Sequence, residues 1–501
     1  MPAPARPPWD PVVASLRTVT AFFVALRLVA AARVGFGDSE ALYASYALHP
    51  QPAYLDHPGL VGLFAHAVGG GTAPSPERAH QVTAVLSAAV PWAMAALCRA
   101  CGATPRRATA AALVFAFVPE IAVGLFALTP DLLLAPAWIA ALACAAIGLQ
   151  SAPGSARASF AFAGAGVLAG TAAAAKVSGA LLAVALAAAY LAPPSRRHAR
   201  TLAPWAGLLA GAVVLVPVVA FEARLGWPML AHRLVDTQHG SGVSLRNLGL
   251  LAGGQLLYLS PGVAVLAALG AREAWAARGA GGPVGPLLWW TFAVPFAALV
   301  ALCAWSRAAE PHWLAPALLP LAPALARSER VPRPRWIAAA GGVAAAFSLG
   351  AYAWVLVPAL ARVTPARSDP RDDIANEMYG WPEALREVRR QAAARWTPAS
   401  VRGDVVVVGP LWVVCGQLEA ALRSEFPVGC DTPVADDFDG WWPRGRWANA
   451  DSIVWVTDNR FGPPPVLPAY ATARTAQVRI VRDGRTVRVF TVATLTSRAQ
   501  G

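Results

Sequence analysis

The chain has 501 residues, 56% of them hydrophobic and 14% charged. A soluble globular domain carries about 25% charged residues, so this composition excludes one and points to an integral membrane protein. The net charge of +13 would suggest nucleic acid in a soluble chain. Here the arginines cluster between hydrophobic runs, where they orient membrane helices, and no nucleic-acid partner is expected.

The first run, 15–34, is long enough to span and lacks a clear small-residue cleavage site after it, so it is read as a retained helix rather than a signal peptide. Seven further runs reach the roughly 20 apolar residues that a span needs: 80–99, 108–128, 131–150, 202–221, 248–270, 285–304 and 336–359. Three shorter runs, 159–175, 177–193 and 313–327, are rich in small residues, which let helices approach closely. The expected fold is mainly α, with about eleven transmembrane helices. With the N-terminus inside, the inner loops hold Arg99, Arg106, Arg107, Arg196, Arg197, Arg327, Arg330 and Arg333, and the outer turns hold far fewer cations. That bias follows the positive-inside rule.

This topology places a first outer loop (35–79), the Thr129-Pro130-Asp131 turn, a large outer loop (222–247) and the 305–312 turn on one side. The membrane domain is expected over 1–362. From 363 to 501 the composition changes to that of a soluble α/β domain, with an amphipathic helix at Trp381–Trp396 and strands in Asp404–Val408, Ser452–Val456 and Val478–Val492. An odd number of spans puts it on the outer side, where Cys415 and Cys430 can pair if the compartment is oxidising. Cys98 and Cys101 form a C-x-x-C with no second ligand pair, so a metal site there is not expected. Asp436, Asp437 and Asp439 are read as turn residues of this domain.

Ionisable groups near membrane depth are costly and are functional candidates. The outer side gathers Asp38, Glu40, Asp56, His57, Asp131, Lys176, His232, His239, Arg246, Arg307, Glu310 and His312. A carboxylate can accept a proton from an attacking hydroxyl, and cations or a metal can neutralise a departing phosphate. Simpler accounts compete: Asp38 and Asp131 can cap helices, and Asp56-His57-Pro58 can form a turn.

The stretches DSEALYASYALHPQPAYLDHPGLVG, LTPDLLLAPAWIAAL, GTAAAAKVSGALLAVAL, GGQLLYLSPGVAVLAAL and EPHWLAPALLPLAP resemble, in this order, the C-type (GT-C) membrane glycosyltransferases. The branch is that of the protein O-mannosyltransferases and lipid A aminoarabinose transferases. The resemblance implies transfer of a sugar from a polyprenyl-phosphate donor to a hydroxyl of a lipid, glycan or protein acceptor. It implies a bacterial inner membrane with a cytoplasmic N-terminus and a periplasmic C-terminal domain. It maps the catalytic acid onto Asp38 or Glu40 and donor contacts onto His57, Asp131, Arg246 and His312; Tyr54, Lys176, Arg307 and Glu310, polar groups of the same outer side, are expected to contact the donor with them. A divalent metal ion, if used, would be held by Asp56 and His239. The family pattern has adjacent Asp-Glu before Ala-x-Tyr, which puts Ser39 at the usual aspartate and Asp38 one step upstream, a turn of about 100° in a helix. A transporter or lipid flippase and a catalytically degenerate relative are the alternatives. A transporter would want inverted repeats, and none is visible.

Overall fold

The computed structural model describes residues 11–279, 282–362, 369–396 and 400–498. Among them, six helices are long and apolar enough to cross a membrane: Val13–Ala31, Pro76–Ala100, Pro130–Gln150, Ala156–Ala175, Val284–Trp305 and Pro334–Leu356. Three begin with proline, whose missing N–H is no loss in a first turn. Four further pairs qualify together but are bent: Pro105–Ala116 with Pro119–Phe126 (74°), Val177–Leu191 with Pro193–Ala199 (78°), Ala203–Val214 with Val216–Leu225 (50°), and Leu245–Tyr258 with Pro261–Ala277 (104°). Each bend falls at a proline (Pro119, Pro193, Pro217 or Pro261), where the ring removes a helical hydrogen bond and crowds the preceding turn. Six straight and up to four bent spans make ten. The expected eleventh, 313–327, is not one helix: it is Pro311–Leu314, Ala315–Leu318 and Leu321–Arg327, interrupted by Pro316, Pro320 and Pro323. The 222–247 loop also contains a short helix, Pro228–Leu234.

Small residues set the tightest packing. A Cβ on Gly166 would lie 1.7 Å from the carbonyl oxygen of Gly207, and one on Gly170 would lie 2.3 Å from that of Gly211. The Ala156–Ala175 and Ala203–Val214 helices therefore touch backbone to backbone, a contact that only small residues permit.

The C-terminal domain is a five-stranded sheet in the order β2-β1-β3-β5-β4. Its strands are β1 (Val405–Gly409), β2 (Val428–Cys430), β3 (Ser452–Asp458), β4 (Tyr470–Arg482) and β5 (Arg485–Ser497). Strands β2 and β3 run parallel to β1, and β5 is antiparallel to β3. The interior strand β1 is buried along its length, as its uninterrupted valines require. The expected Val478–Val492 strand is two strands folded back at Asp483-Gly484, both at positive φ (48° and 82°), the signature of a tight hairpin turn. Helix Trp381–Ala393 packs on the sheet. So does helix Trp412–Leu422, which Cys415 ties to β2 through a disulfide with Cys430.

Trp412–Leu422 also joins the domain to the bundle. It lies against the Asp38–Ser45 helix so closely that a Cβ on Gly416 would meet Leu42 N at 2.9 Å. Gln417 donates to the Phe36 carbonyl at 2.8 Å. Beside it runs a charge chain: Arg460 donates to Asp38 (2.5 Å) and to Asp458 (2.9 Å), and Arg488 donates to Asp458 at 2.5 Å. The Asp458 side chain is fully buried. Removing one member of a buried pair costs about 3–5 kcal/mol. Arg460→Ala is thus expected to lower the thermal midpoint of the full-length protein, with faster proteolysis of the C-terminal domain; an unshifted midpoint would show the chain of charges to be dispensable. In the bundle, Gly166→Leu should leave little folded, monodisperse protein in detergent, whereas equal yields would reject the backbone contact.

Candidate active site

A cavity of about 430 Å³ lies between the bundle and the C-terminal domain. Six segments of the bundle and two of the domain build it. The 50–58 segment folds back on itself through Tyr54 N to His57 O (2.9 Å) and Gly59 N to Pro52 O (2.7 Å), which presents Asp56 and His57 to the cavity. Gly59 fits only because it lacks a Cβ, which would lie 2.1 Å from the Gln51 carbonyl. Asp131 projects from the first turn of Pro130–Gln150. Lys176 sits in extended backbone where one helix ends and the next begins, so its side chain reaches Asp131 with both oxygens in range (3.0 and 2.8 Å). Asp131 is therefore an ion-pair partner as well as a first-turn acid, and Thr129 before it makes no side-chain cap.

The remaining charges interlock. His312 stands between Glu310 (3.1 Å) and Asp131 (3.8 Å). Arg233, on the short Pro228–Leu234 helix, donates to the Asp56 backbone carbonyl (3.0 Å), reaches its carboxylate (3.4 Å) and points Nη2 at His57 Nε2 (3.4 Å). His232 is 4.0 Å from Asp56. Lys176 and Arg233 both lie over the ring of Trp313, at 5.9 and 5.5 Å. Burial, then Arg233, Lys176 and His312, hold His57 well below the ordinary histidine range, so it is neutral at pH 7. The hydrogen bond from His312 holds Glu310 below the usual carboxylate range despite its partial burial. The result is a wall of two permanent cations and three histidines facing three carboxylates, a surface able to hold an anionic group and to exchange protons.

Of the residues singled out in the sequence, Asp56, His57, Asp131, Lys176, Glu310 and His312 line this cavity. Asp38, Glu40, Tyr54, His239, Arg246 and Arg307 are not among its lining residues. Asp38 turns to Arg460, and Ser39 takes the place on the cavity wall. The rotation between adjacent helical positions is thus not absorbed. Glu40 is buried: it accepts from His80 (2.8 Å), Leu128 N (2.8 Å) and Gly37 N (3.0 Å). Burial would raise its carboxyl, but His80 and the backbone donors lower it. Tyr54 donates to the Tyr46 and His49 carbonyls and stacks on Tyr46 at 3.6 Å, so it braces the loop. Arg307 engages the Ser241 hydroxyl through its backbone. Asp56 spends its charge on Arg233 and His232, and among the described residues no group of three His, Cys, Asp or Glu side chains could hold a metal ion. A donor set surrounded by cations does not fit a divalent ion.

Sequence reasoning missed Arg233, although it adjoins His232 in a loop already marked as polar. Asp436 and Asp437, read there as turn residues, line the cavity, and so does Trp313. A second cavity, about 160 Å³, is almost wholly apolar. Val114, Phe115, Leu259, Leu319 and Leu325 line it, with Arg107 and Glu120 as its charged residues.

Residues 75–221 match the family described as dolichyl-phosphate-mannose-protein mannosyltransferase. No curated protein matches the chain. Among solved structures, apo ArnT from Cupriavidus metallidurans is similar at 16% identity and TM-score 0.62, covering 96% of this chain and 98% of that one. The same protein bound to undecaprenyl phosphate is similar at 17% identity and TM-score 0.57, covering 95% and 97%. The apo oligosaccharyltransferase of Archaeoglobus fulgidus is similar at 12% identity and TM-score 0.52, covering 89% and 69%. With its apolar spans and its C-terminal sheet domain, the chain is a multi-pass membrane protein that shares the GT-C fold of the ArnT structures.

Proposed function

We propose that the protein transfers a sugar from a polyprenyl-phosphate-linked donor to an acceptor hydroxyl, in the cavity between the bundle and the C-terminal domain. The observation that carries this reading is the convergence of Lys176, Arg233, His232 and His312 in one cavity. A phosphate that leaves as the glycosidic bond forms needs such charge most in the transition state. Undecaprenyl phosphate, the ligand of the ArnT structure, is the phosphate class that suits a membrane-embedded site. The apolar cavity beneath is the natural place for part of a polyprenyl tail, since Glu120 in its wall lies within electrostatic reach of His312 and Lys176.

Displacement at the anomeric carbon needs a proton acceptor for the incoming hydroxyl. That role falls to a carboxylate in the cavity rather than to Asp38 or Glu40, whose oxygens are committed to Arg460 and to His80, Gly37 and Leu128. The arginine bias of the loops at the opposite end supports a cavity on the outer face of a bacterial inner membrane, with the adjoining C-terminal domain in the periplasm. A disulfide in that domain agrees with an oxidising compartment. A second reading, binding of a lipid phosphate without transfer, is favoured by Ser39 on the cavity wall.

Mass spectrometry of lipids co-purifying with the protein should find a polyprenyl phosphate or its glycosylated form. Lys176→Ala and Arg233→Ala should each lower release of undecaprenyl phosphate from a lipid-linked sugar by about 10²–10³-fold, as for other lost transition-state donors. Wild-type protein that neither retains a polyprenyl lipid nor binds undecaprenyl phosphate would sink the reading, and binding without turnover would leave the second one.

A further inference from the structure

Resting on the glycosyl-transfer reading, we propose that Asp436, supplied by the C-terminal domain, is the group that takes the acceptor's proton. The cavity has five carboxylates in its lining, Asp56, Asp131, Glu310, Asp436 and Asp437, and their commitments differ. Asp56 is held by Arg233, Asp131 by Lys176, and Glu310 by His312. Asp437 accepts from Leu55 N (3.1 Å) and from the Tyr46 hydroxyl (3.0 Å), which pins the domain to the first outer loop. Asp436 alone among these five has a buried oxygen with no hydrogen-bond partner. Its Oδ1 accepts from Phe438 N at 3.0 Å in a helix cap, while its Oδ2 is buried with no hydrogen-bond partner.

A buried oxygen without a partner costs free energy that a hydroxyl arriving from the cavity would recover. A carboxylate in an ion pair is a weaker base than a free one, because the cation stabilises its charged form. Burial first, then Asp439 and Asp437 on the same turn, push the Asp436 carboxyl up to about 7. That value suits a base working near neutrality. Asp56, Lys176 and Arg233 line the same cavity. The segment is also well placed mechanically. The Cys415–Cys430 bridge anchors the strand that leads into it, and Asp437 fastens it to the bundle.

In the step proposed, the acceptor oxygen bonds to the anomeric carbon as that carbon's bond to the donor phosphate oxygen breaks. The bonding pair leaves with the lipid phosphate, whose new charge faces Lys176 and Arg233, and the hydroxyl proton passes to the ionised Asp436. The domain thereby contributes to the reaction as well as covering the site.

Asp436→Asn separates this role from a structural one, because Asn caps helices about as well as Asp. The probe is the polyprenyl-phosphate-sugar fraction extracted from the cells that make the protein, with released undecaprenyl phosphate measured against pH. Wild-type turnover should rise with pH through about 7, where the base ionises. Asp436→Asn should be slower by about 10²-fold, lose that acid limb, and bind undecaprenyl phosphate as wild type does. Turnover within threefold of wild type with the limb intact would overturn the proposal while leaving glycosyl transfer standing. Loss of undecaprenyl phosphate binding together with turnover would make Asp436 structural, and also overturn it. A wild-type protein that neither binds nor turns over would remove both readings.

Discussion

The end of this molecule that carries the cavity depends on how charges are neutralised along the seam between an apolar bundle and the C-terminal sheet domain. Carboxylates and guanidinium groups cannot stay buried there unpaired. The seam resolves this by running a chain from Asp38 through Arg460 and Asp458 to Arg488. That chain fixes the C-terminal domain on the Asp38–Ser45 helix. It also decides which acids remain for chemistry, because an oxygen bound to Arg460 is not free to serve a substrate.

The cavity follows from the same constraint in a wetter setting. Lys176 pairs with Asp131, Arg233 with Asp56, and His312 bonds Glu310; on the glycosyl-transfer reading, Lys176 and Arg233 exchange their carboxylates for a phosphate. Such exchange lets a site built of ion pairs bind a charged headgroup without leaving bare charge buried in its absence. Trp313, beneath Lys176 and Arg233, holds both cations over one apolar face. The proline bends below supply the space: a bundle of straight helices would close the apolar cavity beside the 104° break at Ser260-Pro261.

Much of this was legible in the sequence, for physical reasons that also mark where legibility ends. Spans are readable because burying an apolar helix in lipid depends on composition alone, and even the runs that bend carried the prolines that bend them. The polar loops were readable as one group because arginine bias fixes which ends share a side. Which acid faces the cavity was not readable: Asp38 and Ser39 are neighbours in sequence, and only the docking of Arg460, 422 positions away, turns one out and the other in. Arg233 escaped notice because nothing local distinguishes it from an interfacial arginine. Asp436 read as a turn residue because it is one; its nearness to Lys176 exists only through long-range packing.

The two walls of the cavity are also far apart in time. Leu55 and Asp437 touch across 382 positions of chain. The first wall emerges from the ribosome early, and the second only after the Pro334–Leu356 span has been made. On the glycosyl-transfer reading, the site for a lipid-linked sugar is complete only once the C-terminal wall has closed against the first.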